Sequence, residues 1–361
     1  MNFAVIEYAS KSGQVWRHTP DKPNYLADPQ TEIDPTSFGC YVSALEGEHI
    51  PILHLVGVEF GKKIYKRLAG SWPRYSLDYL ENFETLLIVH QLSDAHEIAA
   101  FAHRVRNELP KIFVIGVPTQ PYGLLQPRLA ANPKAARDFS NLMDACHVFI
   151  SIVKDTVPYY QKFSRAPVEY VPQPYPVQYA SRAAIPPNRK DKVIFVAGVT
   201  DRPNIVQGFS VAAKIQQHLP EYTTHITELP GLPLDTSNLA GARYKVIPFE
   251  PWHAHLHTLA RAALVINTDY TKTRGRVQMD AAAAGTPALG GNSDAELDLF
   301  PDLASTPKTP LPDLIQKGIE LLQNQEYSAD LVNRAAAKLP NYCYRRSAER
   351  VYNLRQKYFT E

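Results

Sequence analysis

Short apolar runs rich in β-branched residues recur along the chain, and helical patterns separate several of them. The runs are FAVIEY (3–8), HIPILHLVGV (49–58), TLLIVH (85–90), KIFVIGV (111–117), HVFISIV (147–153), KVIFVAG (192–198), THIT (224–227), YKVIPF (244–249) and ALVINTD (263–269). They are continuous rather than alternating, which is typical of parallel strands buried on both faces. Helical patterns cover 93–109, with Ser93 as N-cap, and 204–219. Strands that alternate with helices predict an α/β fold with doubly wound sheets.

The length of 361 residues exceeds the usual size of a single hydrophobic core, so we expect two domains. One sharp change in composition lies near the middle, where 171–192 contains five prolines among 22 residues. We interpret it as a linker. The predicted organisation is an N-terminal doubly wound domain at 1–172, a linker at 173–191, a second doubly wound domain at 192–343 and a C-terminal helix at 344–361 that packs back on the N-terminal domain.

Charge and cysteine content exclude several classes of protein. The formal net charge of +2 is too small to predict a nucleic-acid partner. Cys40, Cys146 and Cys343 are scattered, without the spacing of a disulfide framework or a zinc site, which fits a reducing compartment. The N-terminus lacks the basic segment of a signal peptide, and no apolar run approaches the ~18 residues of a membrane helix. We therefore expect a cytoplasmic protein with no transmembrane segment.

The stretch RGRVQMDAAAAGTPALGG at 274–291 has the features of an anion-binding turn followed by a short helix. Gly275 allows the backbone to approach a ligand closely. The first-turn N–H groups near Arg276 and Val277 have no intrahelical partner, and together with the helix dipole they favour a diphosphate. Asp280 on this helix is placed to accept hydrogen bonds from two ribose hydroxyls. An ordinary small-residue helix packed on a sheet, with Asp280 merely exposed, fits the same stretch.

This motif resembles the donor-binding segment of the retaining family 4 glycosyltransferases. There a Glu, two residues and a Gly precede a helix that carries a second Glu and ends in Ala-x-Ala-x-Gly-x-Pro. Gly275 matches the glycine, Asp280 the second acidic position, and AAAAGTP the end of the motif. The likeness extends over roughly 85–300. It implies the GT-B architecture, in which two Rossmann-like domains face each other across a cleft and a helical tail follows. A periplasmic-type binding protein fits the same outline but normally carries a signal peptide.

The resemblance also implies roles for individual residues. The first strand of the second domain ends at Gly198, Ile247 and Pro248 occupy the segment that cups the nucleobase, and Gly13 lies in the loop after the first strand. The implied donor-binding residues are Gly13, Gly198, Ile247, Pro248, Arg274, Gly275, Arg276, Val277 and Asp280. The implied catalytic residues are Arg202, Lys272 and His90.

Two positions depart from the family pattern. Val199 stands where the family usually has an Arg, so the first cation after the strand is Arg202. A guanidinium there suits a leaving diphosphate, and a surface Arg at a helix start is the alternative. Lys272 stands at the family's first Glu. It adds a phosphate contact, changes the sugar, or marks a chain that no longer catalyses. His90 ends a strand, where a purely structural polar cap is the alternative to a place near the donor sugar.

No metal site is predicted. In HAHLH only His253 and His257 share a helix face, and no third ligand is evident, so a surface helix is favoured. The sequence has no clear Asp-x-Asp after a strand, no G-x-G-x-x-G and no P-loop. We expect a metal-independent protein without a cofactor.

These features predict a hexosyltransferase-type glycosyltransferase that moves a sugar from a nucleotide diphosphate donor to a hydroxyl, with retention. The acceptor, whether glycan, lipid, protein or small molecule, is not identified. The alternatives are a nucleotide-sugar epimerase or hydrolase of the same fold, or a non-catalytic nucleotide-sugar binding protein.

Overall fold

The computed structural model describes residues 1–7, 16–17, 38–51, 76–198, 205–228 and 235–359. The chain divides into two compact units. The first unit contains residues 1–175 and 344–361, and the second contains residues 176–343. The first unit is therefore built from two separate parts of the chain.

The first unit contains a seven-stranded sheet. Its strands are β1 Phe3–Glu7, β2 Trp16–Arg17, β3 Glu48–Pro51, β4 Thr85–His90, β5 Phe113–Pro118, β6 Val148–Ser151 and β7 Val168–Tyr170. Their order in the sheet is β2-β3-β1-β4-β5-β6-β7. All neighbouring strands run parallel except β2, which pairs antiparallel with β3 at one edge.

The second unit contains a five-stranded sheet in which every pair is parallel. Its strands are β8 Val193–Val196, β9 Thr223–Glu228, β10 Tyr244–Pro248, β11 Leu264–Ile266 and β12 Ala288–Leu289. Their order is β10-β9-β8-β11-β12. The chain moves outward from β8 to one edge and then returns to the other side, which is the doubly wound arrangement.

Helices connect most of these strands. In the described residues they are α1 Gly39–Leu45, α2 Ala95–Glu108, α3 Tyr122–Ala131, α4 Pro133–Ala145, α5 Val157–Tyr160, α6 Val177–Ala180, α7 Ile205–His218, α8 Trp252–Arg261, α9 Arg276–Ala283, α10 Asp294–Leu299, α11 Leu311–Gln323, α12 Gln325–Lys338 and α13 Tyr344–Tyr358. Strands and helices alternate within each of the two units, which confirms the predicted Rossmann-like fold class.

Strand β4 shows why its sequence is a continuous apolar run. All six of its residues are buried. Leu86 and Ile88 pack in the core that α2 covers, whereas Leu87 and Val89 pack on the opposite face with α1 and α13. Because helices cover both faces of the sheet, neither set of alternating side chains reaches water.

The C-terminal helix α13 packs within the first unit. Val351 and Leu354 are buried in the same core as Val42 of α1. Near the end of the helix, the Lys357 ammonium lies 2.6 Å from the Glu169 carboxylate at the edge of the sheet. An apolar stripe and a polar contact together hold this helix against the sheet.

Residues 176–191, in the segment interpreted as a linker, belong to the second unit and contain the short helix α6. Hydrogen bonds from Lys190 connect this segment to the rest of the second unit. The Lys190 ammonium donates to the Ala260 carbonyl at 2.8 Å and to the Thr286 hydroxyl at 2.7 Å. Burial lowers the pKa of Lys190 to about 8.

Across the parts of the chain that the structure describes, no helix combines the length and the apolar character needed to cross a lipid bilayer.

Candidate functional site

The predicted donor residues of the second unit lie at the carboxyl edge of its sheet. Strand β8 is flanked by β9 on one side and β11 on the other, so the winding direction changes beside it. Ligands bind at this position in open α/β sheets. Two loops begin here, one following β11 and leading to α9, the other following β12 and leading to α10.

Main-chain and amide hydrogen bonds join these two loops. The Asp294 and Ala295 N–H groups donate to the carbonyls of Thr273 and Arg274 at 2.9 and 3.1 Å. The Lys272 N–H donates to the Asn292 side-chain oxygen at 3.3 Å. The segment before α9 is thereby fixed by the segment before α10.

The close approach of the loops requires unusual backbone angles. Gly275 has φ of 85°, and a Cβ atom on it would lie 2.4 Å from the Ser293 hydroxyl oxygen. Gly291 has φ of 81°, and a Cβ atom there would lie 2.9 Å from the Asn267 carbonyl oxygen. Lys272 also adopts a left-handed conformation, with φ of 55°. A residue other than glycine in this region costs roughly 1–2 kcal/mol, and such strain concentrates at functional sites.

Helix α9 begins at Arg276, with Gly275 as its N-cap. Because glycine has no side chain, it forms no capping hydrogen bond with the N–H groups of the first turn, which includes Arg276 and Val277. Those groups carry the positive end of the helix dipole. Lys272, Arg274 and Arg276 are all partly exposed around this turn. Three cations and a helix N-terminus make this part of the second unit suited to an anion with several oxygens.

Asp280, expected to face a ribose, is buried one turn into α9. One of its carboxylate oxygens accepts a hydrogen bond from the Trp252 indole N–H at 2.9 Å. The other lies 3.5 Å from the Arg276 Nε atom. Trp252 itself stacks on Tyr179, with ring centroids 5.7 Å apart.

Trp252 and His255 are two residues of this region that the sequence did not reveal. Both are on α8, and His255 packs edge-on against Phe195 of β8. Burial lowers the pKa of His255, an effect that nearby Asp280 opposes and Arg276 reinforces. His253 and His257 of the HAHLH segment are exposed instead. Within the described ranges, no group of three or more His, Cys, Asp or Glu side chains is arranged to hold a metal ion.

The remaining predicted donor residues are placed as follows. Gly198, with φ of 146°, follows the end of β8. Ile247 and Pro248 end β10, the edge strand, at the same carboxyl edge as the loops. In the sheet, β9 and β8 lie between β10 and β11, so the axes of β10 and β11 are three strand spacings apart, or ~14 Å. Gly13 and Arg202 lie outside the described residues.

His90 belongs to the first unit, where it ends β4. Its ring is buried and packs against Phe139 and Phe149, at centroid distances of 5.5 and 5.8 Å. Neither ring nitrogen has a hydrogen-bond partner in the described part of the chain. Burial lowers the pKa of His90 to about 4, so the imidazole is neutral at pH 7. It is able to form hydrogen bonds but does not supply a positive charge.

Glu296 of α10 is an unexpected buried acid close behind the loops. Both of its carboxyl oxygens lack a hydrogen-bond partner among the described residues, as does the side-chain nitrogen of Gln278 on α9. Burial raises the pKa of Glu296 well above its ordinary 4.5, while the nearby Gln278 amide and Lys317 lower it by less. The uncharged acid is the form that suits this buried position.

We expect the contribution of Glu296 to the stability of the protein to fall as the pH rises above about 4.5, the unfolded pKa of Glu296. Between that value and its folded pKa, the folded protein binds the Glu296 proton and the unfolded chain has lost it. Each pH unit in this window then costs at most about 1.4 kcal/mol. The variant Glu296→Gln removes this contribution. Its melting temperature should match wild type near pH 4 and exceed it increasingly as the pH rises above 4.5. A difference that does not change with pH would contradict the assignment.

Comparisons with known proteins identify the fold. No protein-family model matches the chain, and no curated protein matches it. Solved structures do match. Sucrose-phosphate synthase from Thermosynechococcus elongatus aligns with a TM-score of 0.60 and 11% identity, over 87% of this chain and 84% of that one. The apo structure of OtsA aligns with a TM-score of 0.62 and 9% identity, over 98% of each chain.

A third similar structure is the pneumococcal O-GlcNAc transferase GtfA in complex with UDP and GlcNAc. It aligns with a TM-score of 0.57 and 13% identity, over 84% of this chain, which spans 61% of the length of GtfA. These similarities confirm the GT-B fold predicted from the sequence. Membership of family 4 stays a prediction.

Proposed function

We propose that this protein is a glycosyltransferase whose second unit binds a nucleoside diphosphate sugar at the loop between β11 and α9. The observation that carries the proposal is the uncapped N-terminus of α9 beside Lys272, Arg274 and Arg276. The GT-B fold supports it, and so does the UDP in the GtfA structure, to which the chain is similar. The sugar would move to a hydroxyl acceptor, with retention as implied by the motif.

The chemistry follows from the charge that develops on the departing diphosphate. As the bond to the anomeric carbon breaks, negative charge grows on the phosphate oxygen. The first-turn N–H groups of α9 and the cationic side chains stabilise that charge more in the transition state than in the ground state. The catalytic role implied for His90, which is buried in the first unit, stays a prediction. Arg202 is proposed as a further phosphate contact.

The test is a panel of UDP, ADP and GDP sugars in a thermal-shift assay. A ligand at ~100 times its Kd stabilises the folded protein by about 2.7 kcal/mol, which raises the melting temperature. Mass spectrometry of the stabilising donor with candidate acceptors then separates transfer, isomerisation, hydrolysis and binding alone. Arg276→Ala should reduce the shift, whereas Lys214→Ala, which removes an exposed cation from α7, should not. A wild-type protein that no nucleotide sugar stabilises would contradict the proposal.

We expect sugar transfer to be independent of divalent metals, because cationic side chains and helix N–H groups take the place of a metal at the diphosphate. Initial rates measured with and without EDTA should agree within error. Loss of activity in EDTA that Mn²⁺ or Mg²⁺ restores would show instead that a metal assists the leaving group.

A further inference from the structure

Two residues one turn apart on α9, Arg276 and Asp280, differ strongly in exposure. The Arg276 side chain is 28% exposed, whereas the Asp280 side chain is 3% exposed. A ligand at the N-terminus of the helix therefore meets the guanidinium before it meets the carboxylate. For a ribose hydroxyl to bond to Asp280, it would have to reach a side chain that is almost fully buried.

Both oxygens of Asp280 have a defined neighbour inside the second unit. Trp252, 28 residues earlier on α8, donates its indole N–H to one oxygen at 2.9 Å. The Arg276 Nε atom lies 3.5 Å from the other. A buried carboxylate without such partners would be costly, so these contacts account for its presence in the core. They also fix its orientation, because the indole is held by stacking on Tyr179.

The series of contacts runs from Trp252 through Asp280 to Arg276. A guanidinium has five N–H donors in a rigid plane. When Asp280 orients the Arg276 guanidinium through Nε, the terminal N–H groups are still suited to phosphate oxygens. Holding a long side chain in one conformation before the ligand arrives reduces the entropy lost on binding. Truncating Asp280 would release Arg276 even though the carboxylate never touched the ligand.

We propose that Asp280 is a positioning residue that acts on a bound nucleoside diphosphate through Arg276, with Trp252 holding the carboxylate in place. This inference rests on the proposed function, since it assigns a role within the same donor site. It differs from a direct contact between Asp280 and the ribose in one decisive respect. The effect of Asp280 must disappear when Arg276 is absent.

The experiment is a double-mutant cycle on the full chain, measured by isothermal titration calorimetry. The ligand is whichever of UDP, ADP or GDP binds the wild type most tightly. Asp280→Asn keeps the shape and an oxygen acceptor for Trp252 but removes the charge. We expect it to weaken binding about tenfold, or about 1.4 kcal/mol. In the Arg276→Ala background the same change should alter affinity less than twofold.

Two further measurements separate positioning from structural damage. The corresponding nucleoside, which lacks phosphates, should bind wild type and Asp280→Asn equally, because the ribose is not contacted. Trp252→Phe removes the indole hydrogen bond to Asp280. It should therefore weaken diphosphate binding when Arg276 is present and leave it unchanged in the Arg276→Ala background. It also provides the test if Asp280→Asn fails to fold.

The outcomes are distinct. Equal losses from Asp280→Asn in both backgrounds, with weaker nucleoside binding, would overturn the positioning role in favour of direct ribose contact. A wild-type protein that binds none of the three diphosphates would overturn this inference together with the proposed function. Binding by the wild type with an additive cycle would overturn this inference alone.

Discussion

Replacing Gly275 with alanine is expected to lower the free energy of unfolding by about 3 kcal/mol. The first part of the loss comes from the left-handed backbone, at φ of 85°, which costs a residue with a Cβ roughly 1–2 kcal/mol. The second part is steric. The new methyl group would lie 2.4 Å from the Ser293 hydroxyl and 2.7 Å from the Ala295 Cβ atom, and such overpacking costs ~1–3 kcal/mol.

Gly241 provides a matched control in the same unit. Its φ of 79° is similar, but a Cβ atom there would have no neighbour within 4 Å. Gly241→Ala should therefore show the backbone cost alone, roughly 1–2 kcal/mol. Urea unfolding of both variants and the wild type measures the difference. Equal losses at the two positions would mean that the loops before α9 and α10 do not pack as closely as described.

Replacing Lys272 with alanine is expected to reduce kcat about 10²–10³-fold and to raise the KM for the donor much less. Under the proposed function, charge on the departing diphosphate grows toward the transition state, so a cation beside it would contribute more to turnover than to ground-state binding. Lys272→Glu, which restores the residue typical of family 4, should be as inactive or worse. Lys272→Arg keeps the charge and is the matched control for the side chain.

Steady-state kinetics with two donors decide the role of Lys272. If Lys272→Glu is as active as wild type on a neutral-sugar donor, Lys272 does not stabilise the diphosphate. A strong preference of the wild type for a uronic acid donor, abolished in Lys272→Ala, would place the ammonium on the sugar carboxylate. Each variant should first show an unchanged melting temperature. Position 272 has a left-handed backbone, and the replacement residues carry a Cβ atom as lysine does, so the backbone cost is the same in all of them.

The main features of the fold were predictable because strand burial is visible in the order of the residues. Continuous apolar runs marked parallel strands covered on both faces, as β4 shows. Helix α9 begins directly after Gly275, as the glycine turn followed by a helical run had indicated. Boundaries were less exact. The helix expected from Ser93 begins at Ala95 instead, after a 3₁₀ turn from Leu92 to Asp94.

The contacts around the candidate site were not predictable, because they join residues far apart in the sequence. Nothing in the spacing of Trp252 and Asp280 indicates that an indole would hydrogen-bond the carboxylate. The six residues DAELDL of α10 include three acids, yet Glu296 among them is fully buried. Periodicity reports which face of an element is apolar. It does not report which neighbour makes a polar residue acceptable in the interior.

The discontinuity of the first unit has a consequence for the order of events during synthesis. Residues 176–343, which form the second unit, leave the ribosome before α13 does. The core of the first unit includes Val351 and Leu354, so it stays incomplete until α13 is translated. Domains usually fold in order from the N-terminus. Here the second unit is able to fold before the first unit is complete, because the first unit needs a helix that is translated after the second unit.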